Sequence, residues 1–238
     1  MERDLALLST HVGGLDEALG GGIPEGSIIL VAGTPGTLKS SLIYNVLYHN
    51  ANNGRRGLYV TLEQSAESLR RAMARFGFPP IDEAKLYLLD LGILRTSLRK
   101  AEGTKDWIGI LVDIIREAVT ADGYKVLALD SMEALYALAS FEFPRRELFQ
   151  FFSSLRDLGL TTFLIAETPF GSQKLTQYGE DFLADGILHL RQVEVGETDV
   201  QLRLRCVKLR MMAHVHNALA LTHVESGFLV THILSRKK

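Results

Sequence analysis

Ser27-Ile-Ile-Leu-Val-Ala-Gly33-Thr-Pro-Gly36-Thr-Leu38-Lys39-Ser40 reads as a buried strand, a glycine-bearing loop and a Lys-Ser pair that opens a helix. The uninterrupted apolar run Ile28–Ala32 is the pattern of a strand buried on both faces. From Lys39 onward, Leu42, Ile43, Val46 and Leu47 recur at helical spacing, and Ala51-Asn-Asn-Gly54 supplies a stop. Backbone N–H groups that converge at the positive end of a helix bind phosphate oxygens. Gly33 and Gly36 let the chain turn and approach a ligand with no Cβ in the way. In this P-loop (Walker A) layout Lys39 reaches the β- and γ-phosphates of a nucleoside triphosphate and the Ser40 hydroxyl binds Mg²⁺. Thr34, Pro35, Thr37, Leu38 and Ser41 complete the candidate cradle.

Leu38 stands where the motif has its second glycine. If that glycine is needed for a positive φ, leucine strains the loop. If residue 38 already lies in the first turn of the helix, leucine is tolerated. Thr37-Leu38-Lys39-Ser40-Ser41-Leu42 makes a plausible helix start, so the second placement is expected.

The 238 residues, 47% of them apolar, can bury one substantial core. A net charge of -2 gives no general attraction to nucleic acid or to an anionic membrane. The single cysteine, Cys206, excludes an internal disulfide and cysteine-cluster metal sites, and reads as a small buried apolar residue. No apolar run approaches the length of a spanning helix, and Met1-Glu-Arg-Asp4 lacks a signal-peptide pattern. A soluble, cytoplasmic protein with no membrane partner is expected. No linker, repeat or low-complexity block divides the chain, so residues 1–238 are expected to form a single domain.

Strand-like and helical runs alternate through the first two thirds. Strands are expected at Leu58–Leu62, Leu86–Leu89, Val126–Leu129 and Thr161–Ala166. Helices are expected at Ala66–Phe76, at Trp107–Val119, and at Arg145–Leu158 after Pro144. This alternation means a parallel sheet wrapped by helices. Gly186–Arg191, Val200–Lys208, Ala218–Thr222 and Phe228–Ile233 read instead as strands joined by short turns, with Glu194–Asp199 a hairpin tip. The expected architecture is α/β, a mostly parallel central sheet with C-terminal antiparallel strands.

Two carboxylates end strands where ligands of open α/β sheets lie. Lys125-Val-Leu-Ala-Leu-Asp130-Ser131 offers Asp130 to a Mg²⁺ shell, although an Asp closing a strand before a turn is also common. Tyr59-Val-Thr-Leu-Glu63-Gln64-Ser65 offers Glu63 either as a base for an attacking water or simply as an acid before a helix cap at Ser65. Near Cys206–Val207 the in–out alternation slips by one residue, which a bulge would produce. Beyond the slip, Lys208 and Arg210 share a face, either as a functional pair or as solvated cations on a frayed edge.

Taken in order, these motifs resemble the KaiC-like branch of the RecA superfamily of ATPases. Gly13-Gly-Leu-Asp-Glu-Ala-Leu-Gly-Gly-Gly-Ile-Pro-Glu-Gly26 resembles the family's opening motif. Tyr178-Gly-Glu-Asp-Phe-Leu-Ala-Asp-Gly186 resembles the lead into the C-terminal strands, and Lys208-Leu-Arg210 with His214 resembles the Lys-Leu-Arg…His signature. The resemblance implies a RecA-like core that binds ATP or ADP with Mg²⁺. It implies a homo-oligomer, a hexameric ring or a filament, with ATP between subunits. It makes Glu63 the catalytic base, and Lys208 and Arg210 the groups that reach a neighbour's γ-phosphate. Gln64 replaces the second acid of the family's pair, and Met211 replaces the glycine after Lys-Leu-Arg, which suggests a stiffer loop. Three classes follow: an ATP-hydrolysing oligomer in signalling or regulation, a DNA-binding recombinase, and a non-hydrolysing nucleotide-binding scaffold. DNA binding is disfavoured because the loops between Glu167 and Asp181 hold one cation, Lys174, and one early aromatic, Phe170, against Glu180 and Asp181. Arg70, Arg71 and Arg75 read as a solvated helix face.

Overall fold

The computed structural model describes residues 5–92, 107–138, 141–169, 171, 174–225 and 227–233. The chain opens with β1 (Leu7–Leu8), β2 (Val12–Gly13), a short helix α1 (Leu15–Ala18) and β3 (Ile23–Pro24). There follow β4 (Ile28–Gly33), α2 (Lys39–Asn52), β5 (Gly57–Thr61), α3 (Ala66–Arg75) and β6 (Leu86–Asp90). Then come α4 (Trp107–Asp122), β7 (Val126–Asp130), α5 (Met132–Leu138), α6 (Pro144–Asp157) and β8 (Thr161–Glu167). The last elements are α7 (Glu180–Leu183), β9 (Gly186–Val195), β10 (Asp199–Leu209), β11 (Leu219–Val224) and β12 (Gly227–His232).

Among the described residues these strands form a ten-stranded sheet, ordered β2-β12-β11-β10-β9-β4-β8-β7-β5-β6, while β1 and β3 pair separately. From β9 across to β6 every neighbour is parallel. β9, β10, β11 and β12 form an antiparallel meander. β9 therefore has two roles: it closes the parallel core against β4 and begins the antiparallel extension. Its sequence was legible only as a member of the extension. The hairpin turn falls between Val195 and Asp199, as expected, and the ladder shifts register between Cys206 and Lys208, where the alternation slips.

Alternate residues of β4 feed two cores. Ile29 and Val31 join a cluster with Leu42, Ile43, Val46 and Leu47 of α2, and Ile28 and Leu30 join one with Leu111 and Ile115 of α4 and Leu148, Phe151, Phe152 and Leu155 of α6. Full burial of one such Leu or Phe contributes about 1.5–3 kcal/mol, so both faces of β4 are strongly specified. Pro144 sits in the first turn of α6, where its missing N–H has no partner to lose. Cys206 is buried, with its thiol pushed up to about 12 by burial. Among the described residues no helix is long and apolar enough to cross a membrane.

Candidate functional site

The parallel ladder aligns the C-terminal ends of four strands. Gly33 of β4 pairs with Glu167 of β8, Ile165 of β8 with Asp130 of β7, and Asp130 with Thr61 of β5. The loop after β4 therefore emerges beside the carboxyl ends of its neighbours. Together they line a cavity of about 260 Å³ bounded by Pro35, Gly36, Thr37, Leu38, Lys39, Ser40, Ser41, Glu63, Asp130, Ser131, Ile165 and Glu167. Gly33 is required where it stands: a Cβ there would lie 2.4 Å from the Leu190 carbonyl oxygen and 2.8 Å from Thr37 Oγ1. Gly36 has φ 80°. Thr37 Oγ1 donates to Thr34 O at 2.7 Å, and the Lys39 ammonium donates to the carbonyls of Gly33 (2.9 Å) and Thr34 (3.1 Å).

Leu38 departs from its expected place in the first helical turn. The helix begins at Lys39, and Leu38 is its N-cap with φ 61° and ψ 26°, the left-handed conformation that favours glycine. Helix-start composition reads the same on either side of this boundary, so the sequence did not separate the two placements. The leucine side chain is half-buried and packs against the α2 face of the sheet, which offsets part of the strain. Met211, the other residue in a family glycine's place, has φ 66°.

Asp130 is buried, and its Oδ2 accepts the Tyr59 hydroxyl at 2.6 Å. Burial raises its carboxyl above the usual 3.8, hydrogen bonds from Tyr59 and Ser40 pull it down, and the neighbouring Glu63 pushes it up again. A buried carboxylate beside a serine hydroxyl suits a divalent cation, which would compensate its charge. Glu63 is exposed, lines the cavity and accepts the Ser131 hydroxyl. Ser65 caps α3 by accepting the Ser68 N–H at 3.2 Å, so Glu63 both precedes a helix cap and faces the cavity. Burial lowers the Lys39 ammonium below its usual range, against the opposing pull of Glu167, Glu133, Asp130 and Glu63 in that order.

Glu167, Glu133 and Ser131 were not singled out from the sequence. Glu167 closes an apolar strand as Asp130 does, so the same signal was available. Glu133, on α5, accepts the Glu167 N–H at 2.8 Å and is raised above its usual value chiefly by burial. Glu180, counted as an acid of the 167–181 loops, is fully buried, accepts the Tyr136 hydroxyl and does not shape their surface charge. Phe170 lies outside the described residues. Arg70 pairs with Glu83, and Arg71 with Glu67 at 3.8 Å, all of them exposed, as a solvated face requires.

Lys208 and Arg210 lie elsewhere. Leu209 pairs with Gly186 and Gly186 with Ile29, which sets Arg210 level with Ile28 at the start of β4. From Ile28 to Gly33 the strand runs about 16 Å at 3.3 Å per residue. Neither cation lines its own chain's P-loop cavity.

A family profile described as "ATPase: KaiC" matches residues 8–234. The chain belongs to the KaiC family of ATPases. This KaiC-family chain is similar to a UPF0273 protein of Aeropyrum pernix, 28% identical over 218 residues that cover 88% of this chain and 86% of that protein. It is 29% identical over 229 residues to the circadian clock oscillator protein KaiC of Prochlorococcus marinus, covering 94% of this chain but 44% of that one. It therefore spans less than half the length of that clock protein. The crystal structure of a KaiC-like protein from Pyrococcus horikoshii superposes with a TM-score of 0.81 at 28% identity, covering 96% of this chain and 100% of that one.

Proposed function

We propose that residues 1–238 act as one ATPase domain: a slow, Mg²⁺-dependent ATPase that works as a homo-oligomer, a hexameric ring, in signalling or regulation. The observation that carries this reading is the meeting of Lys39, Ser40, Asp130 and Glu63 on one cavity at the carboxyl edge of the sheet. The Gly33–Ser41 amides and the Lys39 ammonium bind the triphosphate. Ser40 and Asp130 would hold Mg²⁺, which would supply positive charge against the negative charge that builds on the phosphate oxygens. Glu63 takes a proton from water, whose oxygen bonds to the γ-phosphorus as the bond to the bridging oxygen breaks, leaving ADP and phosphate. Arg210 of a neighbouring copy stabilises that charge, and Lys208 joins it by exchanging own-chain carbonyl partners for phosphate, a reading supported by their distance from their own P-loop. The uncharged Gln64, in the place of the family's second acid, supports slow turnover.

Lys39→Ala is expected to abolish ATP binding. Glu63→Gln is expected to keep binding and lower turnover about 10²–10⁴-fold. Full turnover in Glu63→Gln removes Glu63 as the base, and turnover surviving Lys39→Ala removes the P-loop reading.

A further inference from the structure

The face that carries Lys208 and Arg210 is organised around one carboxylate, Asp185, which follows α7 and precedes β9. Its N–H donates to Ile28 O at 2.8 Å, and its Oδ2 accepts the Ile28 N–H at 3.0 Å. Both main-chain groups of the first residue of β4 are thus held by Asp185. Its other oxygen, Oδ1, accepts Arg210 Nη1 at 2.9 Å and Arg156 Nη2 at 3.3 Å, and its carbonyl accepts the Arg210 N–H at 2.9 Å. Arg210 Nη2 also reaches Phe182 O at 3.5 Å. Lys208 Nζ donates to the carbonyls of Asp181 (3.1 Å), Phe182 (3.4 Å) and Ala184 (2.6 Å), at the negative end of α7.

The exposures of the pair are unequal. The Asp185 side chain is 16% exposed and that of Arg210 51%. A guanidinium has five donors in a fixed fork. Asp185 and Phe182 engage one edge of it, and the remaining donors stay accessible to an anion. A carboxylate that only stapled the sheet would need its Ile28 contacts and no exposed arginine.

We propose that Asp185 is a positioning residue that orients Arg210, from the base of its own P-loop strand, toward the triphosphate bound by the next copy. This rests on the trans reading of Lys208 and Arg210 given above. Asp185→Asn keeps one acceptor oxygen and turns the other into a donor, so when the oxygen stays on the Ile28 N–H the amide NH2 faces Arg210 and the contact that orients it is lost. Arg210→Lys keeps the charge and loses the fork.

The test measures ATP turnover and ATP affinity in variants of the 238-residue chain, alone and mixed in equal amounts with Glu63→Gln before assembly. Asp185→Asn, Arg210→Lys and Arg210→Ala are each expected to lose turnover by about tenfold to a hundredfold, with ATP affinity unchanged because each retains its own P-loop. Mixing with Glu63→Gln, which keeps ATP binding and so assembles, is expected to restore turnover above the sum of the separate proteins, since Glu63→Gln copies present an intact Asp185–Arg210 pair. Failure of Arg210→Ala to be rescued overturns the trans reading and this proposal with it. Rescue of Arg210→Ala but not of Asp185→Asn leaves the trans reading standing and makes Asp185 a structural staple. Should Asp185→Asn not fold, Arg210→Lys carries the test, and full turnover in it overturns the proposed orientation.

Discussion

Replacing Leu38 by alanine and, separately, by glycine tests the left-handed N-cap directly. In an ordinary helical position alanine is more stable than glycine by about 0.5–1 kcal/mol, because glycine loses more backbone freedom on folding. At φ 61° the order reverses. An L-residue there carries about 1–2 kcal/mol of strain that glycine does not, which outweighs glycine's entropy. Leu38→Gly should therefore exceed Leu38→Ala by about 0.75 kcal/mol, the difference of the midpoints of those two terms. Leucine itself recovers part of its strain by half-burying its side chain against the α2 core. Losing that contact costs about 1 kcal/mol, roughly half of a full burial, so the alanine variant should be the least stable of the three. For a chain of this size 1 kcal/mol moves Tm by about 2–4 °C, so thermal or urea unfolding of the three proteins resolves the order. Alanine equal to or above glycine would refute the argument and return residue 38 to the helix. Since the backbone already has the conformation glycine would take, ATP affinity of Leu38→Gly should stay within about threefold of the parent, or about 0.7 kcal/mol.

Met211, 72% exposed with φ 66°, should show the same sign in unfolding experiments: Met211→Gly more stable than Met211→Ala, with little packing to confuse the comparison. Glu180 gives a pH test. Burial raises its carboxyl above the usual 4.5, so the native chain keeps the proton to higher pH than the unfolded chain, and stability falls as pH rises through that window. Glu180→Gln lacks this dependence, so its stability relative to the parent should climb with pH above 4.5 and then level off; a flat difference would contradict the burial argument. The Cys206 thiol, buried and pushed up to about 12, should react with iodoacetamide at pH 8 at least about a hundredfold more slowly in the folded than in the urea-unfolded chain.

What the sequence revealed depended on whether a local pattern had one structural meaning. The apolar run of β4 and the periodicity of α2 are unambiguous, and so the strand–loop–helix at the site was legible. The bulge between Cys206 and Lys208 was legible because a one-residue slip of alternation has few other causes. The parallel pairing of β9 with β4 was not, because a strand's sequence does not name its partner. The φ of Leu38 was hidden by composition that suits both sides of a helix boundary. Asp130 and Glu167 end similar apolar strands, and only the ladder that aligns Gly33 with Glu167 brings the second acid to the cavity. Asp185 was invisible for the same reason: its partners Ile28, Arg156 and Arg210 come from distant parts of the chain.

Size-exclusion chromatography with light scattering, run with and without ATP and Mg²⁺, separates an ATP-coupled assembly with composite sites from an isolated chain. The expected result is a particle near six times the 26.4 kDa chain mass when both are present, and its loss in Lys39→Ala. A 26.4 kDa monomer under every condition would contradict it and leave Lys208 and Arg210 with no phosphate to reach.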